Sequence, residues 1–247
     1  GVDLSLEHTA TLTQGSAPLT VGGAVSLSSG TLITSAAVSS EAANRVEITA
    51  ASLNIGMTAS IDVTGKGYPA NTWWGWQNWP GDISYHGASH GGLGDGGYIE
   101  DTNPVYGNLY DPDTPGAGGA TRSGGGVVLL HITGTLAVDG DILADGAKNN
   151  GAGAGGSISI RAATLTGGGT ITANGGDTNQ NSSHYGGGGG GRIAVLDHSL
   201  LAEAFAANNI GSDAFGLVAR GGDANSCSDG AAGTVYLRAL GDQWGTL

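Results

Sequence analysis

Ser157–Gly176 reads SISIRAATLTGGGTITANGG, with Ile158, Ile160, Ala162, Leu165, Ile171 and Ala173 in short alternating runs separated by glycine. Alternation places successive side chains on opposite faces of a strand, whereas a helix would repeat its apolar residues every three or four positions. The stretch therefore predicts short strands bent round a small apolar core.

The pattern recurs on both sides. Val46, Ile48, Ala50, Leu53, Ile61 and Val63 precede it, as do Val128, Leu130, Ile132, Leu136, Ile142 and Ala144; Ile193, Val195, Leu217 and Ala219 follow. The endings align as Ile61-x-Val63-x-Gly65, Ile142-x-Ala144-x-Gly146, Ile171-x-Ala173-x-Gly175 and Leu217-x-Ala219-x-Gly221. After each comes a polar, glycine-rich loop and a new strand start, at Val127, Ser157, Arg192 and Thr234, spaced by 30, 35 and 42 residues. Strands of constant length joined by loops of variable length define a solenoid, because each coil buries its apolar face only against its neighbours. The expected fold is all-β: a parallel β-helix (β-solenoid) forming one elongated domain over residues 1–247.

Composition is consistent with this reading. Forty-nine glycines among 247 residues exceed ordinary usage, yet they cluster instead of falling at every third place, which excludes collagen. The persistent Ile, Leu and Val runs argue against disorder. A formal net charge of −13 repels phosphate backbones and anionic lipid surfaces, so neither nucleic acid nor a membrane surface is an expected partner. Cys227 stands alone, which rules out an internal disulfide. No apolar run is long enough to span a membrane, and the pattern fits a secreted or cell-surface chain, mature or excised from a longer one.

Taken in order, residues 1–23 read as a first coil or N-terminal cap, and residues 234–247 as a last strand and cap. Asp197–Asn208, DHSLLAEAFAAN, carries Leu200, Leu201, Ala204 and Phe205 at helical spacing behind Asp197 or Ser199 as N-cap, predicting one short helix over about 198–208. Between Lys66 and Gly126 the strand pattern stops, and a long segment without regular structure in a compact fold is a functional candidate.

That inserted loop, residues 66–126, holds Trp73, Trp74, Trp76, Trp79, Asp82, Tyr85, His86 and His90; in a later loop His184 and Tyr185 stand before a run of glycines. Loops of stacked coils emerge on one flank, so these clusters are expected to flank a shallow trough above the smaller loop at Ala147–Gly156. Indole faces stack on sugar rings and carboxylates accept hydroxyl hydrogen bonds, which makes the ten residues a candidate glycan or partner site. The competing reading is that the tryptophans pin the loop down as a satellite core. Gly91–Gly97, GGLGDGG, is similar to a calcium-binding nonapeptide, though Asp95 is one place early and the unit is not repeated; Asp95, Glu100 and Asp101 are the candidate Ca2+ ligands, and no other cofactor is expected. Phosphate-loop, dinucleotide and GxSxG motifs are lacking.

The segments GGSISIRAATLTGGGTITANGG, GGGGGGRIAV and GAAGTVYLRA resemble the glycine-rich β-helical repeats of large bacterial secreted and surface proteins, in the style of filamentous-haemagglutinin and autotransporter-passenger adhesin regions. The resemblance covers most of residues 25–240, leaves out the tryptophan loop, and implies a right-handed parallel β-helix used for adhesion or as a rigid stalk. It brings no catalytic residues with it. The expected function is a non-catalytic extracellular module displaying the 73–113 loop to a glycan or surface protein. Two alternatives stand beside it. One is a carbohydrate-active hydrolase or lyase using the loop carboxylates, with Arg161 and Arg192 facing out from strands. The other is a fibre subunit stacking end to end through open strand edges.

Overall fold

The structure is a computed structural model describing every residue except 74, 76, 79–84, 97–101, 179–183, 202–204, 206–215 and 225–226. No α-helix occurs among the described residues. The first coil is β1 (Leu4–Leu6) and β2 (Thr11–Gln14), the next β3 (Leu19–Thr20), β4 (Ala24–Leu27) and β5 (Leu32–Ser35), and the next β6 (Val46–Ala50), β7 (Ser52–Ile55) and β8 (Ser60–Asp62). A hairpin of β9 (Thr72–Trp73) and β10 (Gln77–Asn78) lies in the insertion. Two coils follow, β11 (Val127–Val138) with β12 (Asp141–Leu143), then β13 (Ser157–Thr166) with β14 (Thr170–Thr172). β15 (Arg192–His198), β16 (Leu200–Leu201) and β17 (Gly216–Val218) form another coil, and β18 (Thr234–Ala239) the last rung.

Among the described residues, every pairing between named strands except the β9–β10 hairpin is parallel, between one coil and the next, as expected of a solenoid. A ten-stranded sheet bends at the register shift between Ile132 and Thr135, so the long strands β11 and β13 each serve two sides of the coil; a six-stranded sheet of β2, β5, β8, β12, β14 and β17 closes the third. Register stacks like on like: Ile33, Ile61, Ile142, Ile171 and Leu217 form one inward column, and Ile48, Leu130, Ile160, Val195 and Leu237 another. Each such side chain is buried in one continuous core, at about 1.5–3 kcal/mol apiece. All the apolar positions named from the four aligned repeats lie in it.

The helix expected at 198–208 is corrected where the structure describes it. Asp197 and His198 end β15, and Leu200–Leu201 pair with Thr164–Leu165 of β13 as β16. Phe205 is buried in the core; residues 202–204 and 206–208 lie outside the described set. The ready-made edge of β13 outweighed the weak helical propensity of a short segment. Asp197 sits at a bulge opposite β18 with φ 60°, a conformation that Asp and Asn tolerate better than most residues. At the other end of that coil the tail folds back antiparallel, Leu237 and Thr246 exchanging hydrogen bonds of 2.8 and 2.7 Å, which covers part of the β18 edge.

Asp197 also joins three strands through its carboxylate, bonded to Arg161 at 2.8 Å and Arg238 at 2.7 Å. Partial burial raises its carboxyl pKa, but the bonds and charges of Arg238 and Arg161 outweigh this and hold it below the ordinary range. Because the group is well exposed, Asp197→Asn, which keeps the backbone preference and removes the charge, is expected to cost about 1 kcal/mol in urea unfolding at low salt. The difference should shrink at 1 M salt and below the carboxyl's titration. A salt-independent loss would mean that the ion pairs contribute nothing.

Candidate functional site

The glycine-rich segments between the strand layers build a second hydrogen-bonded body with almost no side chains. In the coil of β13 and β14 the chain runs out along 173–178 and returns along 186–191. Successive amides of the return leg point three ways: Gly188 donates to Gly176 and Gly191 to Ala173 on the outgoing leg, Gly189 to Ala88 of the insertion, and Gly190 to Ala231 of the next coil. The neighbouring return leg repeats the order, with Gly153 and Gly156 donating to Ala147 and Ala144, Ala154 to Ala117, and Gly155 to Gly189. A repeat of three belongs to the extended polyproline-II type of chain, which has no internal hydrogen bonds and must find partners on three sides. A leg surrounded on three sides leaves little room for a Cβ, hence the unbroken run Gly186–Gly191 where collagen needs only every third, the neighbouring leg admitting only the small methyls of Ala152 and Ala154.

The insertion forms the outer layer of this block. Residues 86–95 and 116–120 lie over the return legs, Ala88 donating to Ala152, Ala154 to Ala117 and Ala231 to Leu93. The open trough expected above Ala147–Gly156 is therefore filled by the insertion itself. From Asn103 the chain leaves the block, crosses the outer face of the ten-stranded sheet and returns at Pro115. On the way Leu109 packs on Ala194, Leu196 and Tyr236, Tyr110 meets the Tyr236 ring edge-on at 5.1 Å, and Asp111 accepts from Ser159 and Arg161 at 2.9 and 2.8 Å.

The predicted site residues divide accordingly. Trp74, Trp76, Trp79, Asp82, Glu100 and Asp101 lie outside the described residues. Trp73 is half-buried against Ala88, Ala117 and Ala154, with Tyr106 at 6.4 Å, which is the pinning role. His86 and His90 are 1% and 0% exposed, so neither is open to solvent. Asp95 is in the block ladder, its amide on Gly187 O and its carbonyl accepting from Gly87. Among the described residues no three His, Cys, Asp or Glu side chains could hold a metal ion together.

Tyr85, His184 and Tyr185 do converge. The insertion brings Tyr85, while His184 and Tyr185 begin the return leg of the next excursion but one, and Gly186 donates to Tyr85 O at 2.8 Å. The Tyr85 ring lies 5.1 Å from His184 and 5.3 Å from Tyr185, and all three are partly exposed. They stand at the outer end of the block, where the excursions turn. Nearby on that end Lys148 binds Asp177 at 2.8 Å, and Asp177 also accepts from the Asp223 amide. Burial raises the Asp177 carboxyl pKa, but these two bonds prevail and leave it lowered.

A buried polar cluster escaped the sequence reading. His90 donates from Nδ1 to Gly155 O at 2.8 Å and meets Thr114 Oγ1 through Nε2 at 3.1 Å, with the Tyr106 ring at 4.8 Å. Arg192 gives Nε and one terminal nitrogen to Tyr106 O at 3.0 and 2.8 Å, and the other to Thr234 at 3.2 Å. Desolvation lowers the His90 pKa to about 4, with the charge of Arg192 adding to it and the Gly155 bond opposing. Histidine spacing along the chain carried no signal of this, because its partners lie up to about a hundred residues away.

Comparison with family models, curated proteins and solved structures gives no match to this chain. No helix among the described residues is long and apolar enough to cross a membrane.

Proposed function

We propose that this chain is a secreted or cell-surface, non-catalytic binding module: a right-handed parallel β-helix whose polyglycine block carries aromatic side chains at its outer end for glycan recognition. Right-handedness is the expectation for parallel crossover connections. The observation that carries the functional reading is the convergence of Tyr85, His184 and Tyr185 from two separate excursions onto one end of the block. Partly exposed rings packed on one another provide stacking surfaces, with phenol and imidazole groups for sugar hydroxyls. The net charge of −13 favours neutral over polyanionic glycans.

The test is a glycan array read alongside titration of the intact protein. Tyr85→Ala with Tyr185→Ala is expected to weaken binding of a neutral glycan about tenfold or more, while the unfolding midpoint falls by about 4–8 °C at most and the fold is kept, since each of the two lost ring contacts is worth about 1 kcal/mol. Undiminished binding by the folded double variant, or release of reducing ends from a bound glycan, would remove this reading.

A further inference from the structure

We propose that residues 104–115 form an acid-released strap, pinned at its neck by the neutral imidazole of His90 and freed from the outer face of β13, β15 and β18 when that ring gains a proton. The inference is independent of the glycan reading. Both legs of the strap meet at His90: Tyr106 on the outgoing leg, whose amide donates to His90 O at 3.1 Å, and Thr114 on the returning one. Tyr106 closes the neck by donating from its hydroxyl to Pro115 O at 2.7 Å. Asn103 is the fixed end, exchanging two hydrogen bonds with the backbone of Ser89. The tip is a compact loop held by Leu109, Tyr110 and Asp111 on the sheet.

Burial and the charge of Arg192 favour the neutral ring and outweigh the two backbone carbonyls that favour the charged one. β15 brings the Arg192 guanidinium, the strap brings the Tyr106 ring, and the block brings only the Gly155 and Gly156 carbonyls. Tyr68 lies behind Tyr106. His90 Nε2 and Arg192 Nε both flank Gly107, whose φ is 85°: a Cβ there would lie 3.1 and 3.4 Å from them. No carboxylate among the described residues forms an ion pair with either group. A proton on His90 therefore places a second cation beside a buried one, and opening the neck is the way to solvate it.

Hydrogen exchange on the intact chain from pH 7.5 to 3.5 tests this, with protection corrected for intrinsic rates. The ring has its ordinary pKa of 6.5 when the neck is open and about 4 when it is closed. Strap protection is then expected to fall about tenfold per pH unit below 6.5 and to level off near 4, about 300-fold in total, while β6 and β11 stay protected. His90→Gln should abolish that dependence, and Asp111→Asn should leave it in place. Unchanged strap protection, loss only together with the sheet strands, or an identical acid transition in His90→Gln overturns the proposal. Should His90→Gln not fold, the wild-type imidazole resonance decides. A ring titrating near 6.5 with the strap still protected overturns it, and one titrating far below supports it.

Discussion

Gly188→Ala is expected to lower stability by about 3 kcal/mol or more, roughly 6–12 °C in Tm for a chain of this size, whereas Gly168→Ala is expected to be neutral or to stabilise by up to about 1 kcal/mol. Neither glycine has a left-handed φ, so backbone conformation does not separate them. Space does. A Cβ on Gly188 would come within 3.0 Å of the Gly153 carbonyl, a backbone group that cannot move without breaking its own ladder. A Cβ on Gly168, in the turn between β13 and β14, meets nothing within 4 Å. In the block the glycines act through interchain distance: legs approach until amides and carbonyls touch, and each methyl would push two legs apart and strand hydrogen bonds on both. Differential scanning calorimetry of the two variants decides the matter. Equal Tm values would show that the block is loose enough to admit side chains.

The same contrast explains which parts of the fold were legible in the sequence. Period two is visible in one chain because it comes from one strand facing one core, so Ile158, Ile160, Ile171 and their counterparts identified the rungs, and Val127, Ser157, Arg192 and Thr234 were recognised as equivalent starts that indeed pair in register. The period of three in the polyglycine legs leaves no such trace. Where all three sides of a leg are packed, the residues are glycine or at most alanine, and the run Gly186–Gly191 looks structureless. The insertion was unreadable for a related reason. Its course is fixed by backbone bonds to legs distant in sequence, such as Ala88 to Ala152 and Ala231 to Leu93, and backbone bonds place no demand on residue type beyond small size. The sequence grouped Tyr85 of the insertion with His184 and Tyr185 of the later loop, and the three rings lie together at the outer end. It could not tell rings at the surface from His86 and His90, which the insertion's own folding buries.

Arg192→Met is expected to destabilise the protein by about 3 kcal/mol, a larger effect than any surface charge change, although Met nearly matches the aliphatic stem in size. In the register of β15, Arg192 alternates with Ile193 and points away from the core, as do Ala194 and Leu196, so strand period alone assigns it to solvent. Yet it is only 7% exposed, because the strap runs over that face and its Tyr106 carbonyl takes two of the guanidinium hydrogen bonds. Burial lowers the arginine's pKa somewhat without approaching neutrality, so a cation remains under the strap with no ion-pair partner among the described residues. Removing it relieves some desolvation but leaves a buried carbonyl unsatisfied, and the second effect dominates for a group accepting two charge-assisted bonds. Arg192→Lys separates the terms: it keeps the charge and stem but cannot fork onto one carbonyl, so a loss of about 1–2 kcal/mol is expected, between wild type and Met. Urea unfolding gives the order. If Met proves as stable as arginine, desolvation outweighs the bonds, and the strap is held by the His90 neck and by Leu109, Tyr110 and Asp111 without Arg192.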